Sequence, residues 1–519
     1  MSRARGPGPP PGITGTEPGP EAGAGPGAQN LPSMAGPVTP PGNPPGPETA
    51  GTKPAPAPVS TWPMWALGLV LLVDSTDQSI VRGLITPLKQ AFHIGDAAIG
   101  VLTSAFILVN GLVTVPAGYL ADRWHRTRTI GHTIVAWSGL TALGAAAPNF
   151  PSLVALRGAL GFGQAITEPS AASLLSDYYP TEQRGRAFAI QQIMMIAGFG
   201  LGVGLGGAVG ATLGWRWAFL LIGAPSTLVA LLAYRLKEPK RGAGDRMHVG
   251  IVDDPDLGDE PVHQPLFTEG FGTFLREMAQ GLRADLRTIW SITTMRFALI
   301  GVSVLLFTIT AVGTWLPQFY ERQLHVANGR AEGYVAVMVI LGGVPGILLG
   351  GRFADRYAAR VRGARVAIPA YCIIVGATCF AISWLRLPFA PAFVLEILGF
   401  FVITMAIPGL RAGLSDAVPA NLRGAGFGAF NLVSVVFGGA LAPLIVSVLS
   451  QSFGNNLRTA FLIIIPPVYL GAYILLRARE HLEADAAKIF QAVLSAMQEQ
   501  QARDQQAGAV AAQDDASHQ

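Results

Sequence analysis

The sequence predicts an all-α membrane protein with twelve transmembrane helices in two pseudo-symmetric six-helix bundles. Three observations carry that expectation. Half of the 519 residues are hydrophobic and only 13% are charged, against about 25% charged in an ordinary soluble protein, and the mean hydropathy is +0.42. From Trp62 onward, apolar stretches follow one another, each long enough to cross about 30 Å of hydrocarbon as a helix. The two halves of that region also repeat each other. The 63 glycines suit helices that pack closely in lipid. A net charge of +4 provides no basic field for nucleic acid. Two cysteines exclude a disulfide-stapled secreted scaffold.

The elements follow in order. Residues 1–61 are rich in Pro and Gly and contain no aromatic residue through position 60, so they read as a disordered cytoplasmic tail that cannot bury enough apolar surface to order itself. Residues 62–236 form the first bundle, with spans near 63–86, 98–120, 129–147, 151–175, 187–210 and 215–235. Residues 237–293 form a cytoplasmic linker. It carries the acidic patch DDPDLGDE and then FGTFLREMAQGLRADLRTIW, a run whose apolar face suits the membrane surface. Residues 294–477 form the second bundle, with spans near 294–318, 333–354, 366–386, 389–410, 425–450 and 456–476. Residues 478–519 are a cytoplasmic tail, helical and then disordered. Trp62, Trp65, Trp215 and Trp217 are read as interfacial anchors.

Arginine placement sets the orientation. The loops after spans two, four and eight carry Arg123, Arg126 and Arg128, then Arg184 and Arg186, then Arg356, Arg360, Arg362 and Arg365. The alternate loops are poorer, so both termini are expected in the cytoplasm.

The repeat is specific. Gly118-Tyr-Leu-Ala-Asp122-Arg123-Trp corresponds to Gly351-Arg-Phe-Ala-Asp355-Arg356-Tyr. Leu175-Ser-Asp177 through Pro180 to Arg184-Gly185 corresponds to Leu414-Ser-Asp416 through Pro419 to Arg423-Gly424, with Pro169 falling on Pro408. Duplicated six-span halves place a substrate site near mid-membrane where they meet. Here the chain resembles the major facilitator superfamily, from about residue 63 to 477. The signature G-x-L-A-D-R-x-x-R is present as Gly118, Leu120, Asp122, Arg123 and Arg126, with His125 where Gly is usual. R-x-x-x-G-x-G is present as Arg157, Gly161 and Gly163. A glycine pattern follows at Gly198, Gly202, Gly206 and Gly207, with Val203 in place of the antiporter Pro. Within that superfamily the chain is most similar to the spinster-like lysolipid and sphingolipid carriers, through Asp77, RGALGFGQA and His125. It departs from them at Gln78, where Arg is usual, and at Gln164, where Glu is usual.

Charges inside a bilayer are costly, by at least ~2.5 kcal/mol on insertion scales, so each needs a reason. Asp74 and Asp77 share a face of span one. Arg157, Gln164 and Glu168 form one stripe of span four, about 16 Å long at 1.5 Å per residue. Counted from the span ends, Asp77 and Arg157 fall at similar depth, and a charge pair between them is expected. Glu396 is the repeat counterpart of Arg157, and an exchange of Arg157 between Asp77 and Glu396 would link proton binding to rocking of the halves. A structural ion pair is the alternative for each of these groups. Arg82 is expected near the outer interface, where it can snorkel. Gating follows from the resemblance: Asp122 pairs with Arg184 or Arg186, and Asp355 acts likewise beside Arg356.

No GxxxxGK[ST], HExxH, CxxC or GxSxG motif is present, so neither a nucleotide-driven engine nor an enzyme is expected. No cofactor or metal is called for. The reading is a secondary active transporter of the plasma membrane, a monomer whose partners are protons, membrane lipids and a small or amphipathic organic substrate. Lipid-like cargo is favoured, with drug or organic-anion transport as the alternative. A carrier-like sensor or scaffold is a third reading.

Overall fold

A computed structural model describes residues 60–121, 124–241, 243, 271–358, 363–416, 432–482, 484, 485 and 487. Most of the expected N-terminal tail, the acidic patch of the linker, Asp122, Arg123 and the chain after 487 lie outside the described residues. Among the described residues every regular element is a helix. The first half comprises α1 (Trp62–Gly83), α2 (Ile85–Phe92), α3 (Asp96–Ala121), α4 (Arg126–Gly144), α5 (Phe150–Gln164), α6 (Thr167–Tyr178), α7 (Thr181–Thr212) and α8 (Trp215–Tyr234). The linker contributes α9 (Phe271–Ser291). The second half comprises α10 (Thr293–Gln323), α11 (Arg330–Met338), α12 (Val344–Ala358), α13 (Ala364–Ser383), α14 (Phe389–Asp416), α15 (Ala442–Ser452) and α16 (Leu457–Leu482).

Ten stretches among the described residues are long and apolar enough to cross a membrane. The other two expected spans depart for visible reasons. Helix α4 begins with Arg126, Thr127, Arg128 and Thr129 and carries His132, which dilutes its apolar character. The fourth span is not one helix but α5 followed by α6, interrupted at Ala165–Ile166. Pro169 explains the interruption: it has no N–H to offer the Ala165 carbonyl, and its ring crowds that carbonyl. In the second half Pro408 lies inside the unbroken α14, so the halves differ here. Helices α11 and α12 are joined by a π-helical segment, Val339–Gly343, and another, Val435–Ala440, precedes α15.

Local chemistry fixes the helix ends. Asn149 Oδ1 accepts the Ser152 N–H at 2.9 Å and Pro151 sits in the first turn, so α5 starts there. His93, in the left-handed region, ends α2, and Gly214, at φ +90°, turns α7 into α8. Helix α9 keeps Arg283 and Arg287 exposed while Leu282 and Leu286 pack against the core. Trp62, Trp65 and Trp217 are exposed, as interfacial anchors require, but Trp215 is buried against Phe92 and Phe219. Its role is packing.

The tightest packing joins α1 to α7. A methyl group on Gly198 would lie 2.2 Å from the Leu72 carbonyl oxygen, one on Gly202 2.2 Å from that of Thr76, and one on Gly206 2.6 Å from that of Ile80. The i, i+4 glycine ladder therefore lets two backbones touch, which side chains would prevent.

The bundle has two ends. At the signature end, Tyr179 accepts the Met64 N–H at 3.0 Å, and Arg241 reaches the Trp124 carbonyl at 3.3 Å. The opposite end gathers Phe92, Asp96, Gly214 and Gln323. There one buried apolar cluster runs through both halves, from Ile80, Leu84 and Leu102 to Trp315, Leu316 and Val335.

Candidate functional site

Asp77 is fully buried in α1, and three side chains converge on it. Its Oδ1 accepts the Thr141 hydroxyl at 3.0 Å, and its Oδ2 accepts the Gln164 amide at 2.8 Å. Arg157 Nη1 lies 3.9 Å from Oδ2 and donates to the Asp77 backbone carbonyl at 3.2 Å. The Arg157 guanidinium rests 4.8 Å above the Phe219 ring. Arg157 and Gln164 face the same carboxylate because they are seven residues apart on α5. The structure thus brings Asp77, Arg157 and Gln164 together. Thr141 and Phe219 join them without any sequence signal beyond a threonine and a phenylalanine in apolar helices.

The site is not saturated. Arg157 Nη2, Gln164 Oε1 and Asp74 Oδ1 are buried without a hydrogen-bond partner among the described residues. Asp74 accepts the Gln78 amide at 2.8 Å, one helical turn on. Glu168, just past the break between α5 and α6, and Asp77 are each close enough to Asp74 for their charges to bear on it. The break also leaves the Thr167 and Ser170 hydroxyls buried without a partner among the described residues.

Arg82 does not snorkel. Its guanidinium lies 5.0 Å over the Phe199 ring, with Nη1 3.3 Å from the Ser79 hydroxyl and Nε 3.4 Å from the Thr314 hydroxyl of the other half. It is near enough to Arg157 for their charges to repel. Glu396 is fully buried, as its sequence position implies, but it is held inside the second half: it accepts the Tyr320 hydroxyl and, at 3.0 Å, that of Ser383. No contact among the described residues joins it to Arg157. Tyr320 and Ser383 are partners that the sequence did not announce.

The opposite end is fastened across the halves. Arg322 of α10 grips Asp96 of α3 with two bonds, at 2.6 and 2.7 Å, and Lys89 adds a third at 2.6 Å. Beside them the Thr86 hydroxyl donates to Glu321 at 2.6 Å, and the Gln318 amide donates to Thr86 at 2.6 Å. Asp96 is 2% exposed, so removing its charge leaves two cations without their shared partner. Asp96→Asn is expected to favour a state open at this end, by roughly 2 kcal/mol or about 30-fold in population. Spin-label distances between α3 and α10 at that end would lengthen; an unchanged distance distribution would remove the fastening role.

At the signature end, Arg126 is fully buried. It binds Asp177 at 2.5 Å, Glu238 at 2.7 Å, Ser173 at 2.8 Å and the Pro239 carbonyl at 3.2 Å. Glu238 also accepts the Thr127 N–H at 2.9 Å. The signature arginine therefore ties α4 to α6 and to the start of the linker. Arg184 donates to the Ser176 and Tyr179 carbonyls, both at 3.0 Å, and so closes the end of α6. Arg186 and Arg356 are exposed. Gly118 lies in the last turn of α3, and Asp355 lies on α12 with its side chain outside the described residues. The pairing expected for Asp122 likewise falls outside them.

Comparison with known proteins agrees with this architecture. The sequence profile of the Major Facilitator Superfamily matches residues 67–442. Human protein spinster homolog 3 is 26% identical over 451 residues, covering 81% of this chain and 83% of that protein. The niacin transporter NiaP of Acinetobacter baylyi is 27% identical, covering 74% of this chain and 86% of its own. The probable L-galactonate transporter of Escherichia coli K12 is 23% identical, covering 78% and 86%. Among solved structures, a bacterial homolog of the human lysosomal transporter Spinster, inward-facing and unoccupied, superposes with a TM-score of 0.66 at 20% identity, over 83% of this chain and 99% of that one. The relatives are transporters, not enzymes. With its repeated halves, its apolar helices and a family profile that runs from the first span into the eleventh, this multi-pass membrane chain belongs to the Major Facilitator Superfamily.

Proposed function

We propose that the chain is an alternating-access secondary transporter that carries an organic anion across the plasma membrane, coupled to protons at Asp77. The observation that supports this best is the Asp77 carboxylate, buried yet only loosely paired with Arg157. A proton on Asp77 removes the charge that holds Arg157, and the freed guanidinium then attracts an anionic substrate. Deprotonation restores the pair and expels the substrate's charge. Asp74 and Glu168 supply further proton acceptors on the side of the break. Arg82 and Arg157 each lie on an aromatic face, so the site meets a negative head and an apolar portion together.

In this reading the Asp96–Arg322 end is the outer one, and it is shut. Both termini face the cytoplasm, because the arginine-rich loops lie at the signature end. The protein works as a monomer. Niacin and L-galactonate, the cargoes in the names of two relatives, are carboxylates at neutral pH. A lysolipid satisfies the same chemistry with a phosphate and a tail, and the resemblance to spinster-like carriers favours it.

The test is uptake into proteoliposomes under an imposed pH gradient, with labelled nicotinate and a labelled lysophospholipid in parallel. The cargo class is the one that accumulates with the gradient. Asp77→Asn should keep substrate exchange at equal pH and lose gradient-driven accumulation. Full coupling in Asp77→Asn would overturn the proton role of that carboxylate.

A further inference from the structure

A second polar site lies away from Asp77 and wholly within the second half. A cleft of about 390 Å³ opens between Gln323 at the end of α10, the turn Trp384–Arg386 after α13, and the start of α16. Two arginines line it, Arg386 and Arg458, and among the described residues no carboxylate does. Their guanidiniums are close enough to repel one another. Arg458 Nε is buried without a hydrogen-bond partner among the described residues, and its guanidinium lies 5.9 Å over the Phe319 ring. Arg386, just past the end of α13, holds φ +62°, the left-handed region in which glycine is less strained than a long side chain.

The cleft floor is the N-terminus of α16, a helix of 26 residues whose first N–H groups carry partial positive charge. Asn456 and Gln323 cap it lightly, accepting the Thr459 N–H at 3.2 Å and the Arg458 N–H at 3.3 Å. Two like charges and a helix N-terminus lie at one opening. Only an anion satisfies them together.

The site stands where α10 and α13 end and α16 begins, three helices long and apolar enough to cross a membrane, so that on this reading it meets the headgroup layer. Leu385, 61% exposed, borders it on the apolar side. Two guanidinium forks match the several oxygens of a phosphate better than the two of a carboxylate. We propose that this cleft binds the phosphate of an anionic phospholipid, with Arg386 and Arg458 on its oxygens and the acyl chains running past Leu385. Free phosphate shares that chemistry and is separated by the test.

The full-length protein is purified in a neutral maltoside, and its thermal midpoint is followed with phosphatidylglycerol, with neutral diacylglycerol, or with inorganic phosphate alone. Phosphatidylglycerol should raise the midpoint by roughly 3–6 °C, and diacylglycerol should not. Arg386→Gly relieves the backbone at φ +62°, so its midpoint without lipid should not fall, while most of the lipid shift disappears. Arg386→Gly with Arg458→Gln should lose all of it. An equal lipid shift in wild type and the double variant overturns the proposal. So does a shift with inorganic phosphate and none with the lipid, or no shift with either.

Discussion

Arg157→Ala is expected to abolish gradient-driven transport, by roughly 100-fold or more, and to destabilise the first half by about 3–5 kcal/mol. Arg157 is buried, and Asp77 is buried beneath it. Removing the guanidinium leaves a carboxylate that keeps only the Thr141 hydroxyl and the Gln164 amide. Two neutral donors do not replace a cation in a low-dielectric interior. The Phe219 ring also loses the group that covers it. Stability and function are separable here. Asp77→Asn combined with Arg157→Gln removes both charges and should regain much of the thermal midpoint lost in Arg157→Ala, while proton-driven accumulation stays absent. A midpoint that does not recover would mean that packing on Phe219, not the charge pair, sets the cost. Normal accumulation by the double variant would remove the site from the mechanism.

Gly202→Val is expected to prevent assembly of the first half. A β-carbon there would stand 2.2 Å from the Thr76 carbonyl and 2.9 Å from the Ser79 β-carbon. The carbonyl is helix backbone and the β-carbon is bonded directly to it, so neither can rotate away, and α1 would have to leave α7. Overpacking typically costs 1–3 kcal/mol and more where the backbone must shift; here roughly 3 kcal/mol or more is expected. The separation would also displace Asp77, one residue past Thr76. Size-exclusion chromatography in mild detergent should show little monodisperse protein. Gly185→Ala, where a methyl group meets nothing within 4 Å, is the matched control and should behave as wild type. A well-folded Gly202→Val protein would mean that the helices can part without penalty.

Much of this architecture is legible before any coordinates. Apolar length and the duplicated signatures lead to the twelve-span reading, and depth counting along opposed spans pairs Asp77 with Arg157. Pro169 permits the break in the fourth span, but its counterpart Pro408 sits inside an unbroken helix, so neither proline nor hydropathy alone distinguishes one helix from two collinear pieces. Glu396 is visible as a buried charge, yet its partner Tyr320 is 76 residues away, and only packing reveals it. Arg82 misleads because it sits near a span end, where snorkelling is the default. Its true place depends on Phe199 and Thr314, which approach from α7 and α10. Arg126 is recognisable by its motif, while its hold on Glu238 depends on where the linker starts.

Because the carbonyls of Leu72, Thr76 and Ile80 lie against the α-carbons of glycines on the next helix, α1 and α7 cannot slide along one another. They form a single stiff lever. One arm carries Asp77; the other carries Gly207, where a β-carbon would stand 2.4 Å from that of Glu332 in the opposing half. If the halves part as proposed, a small tilt at the charged end would be delivered with little slippage to the seam between them.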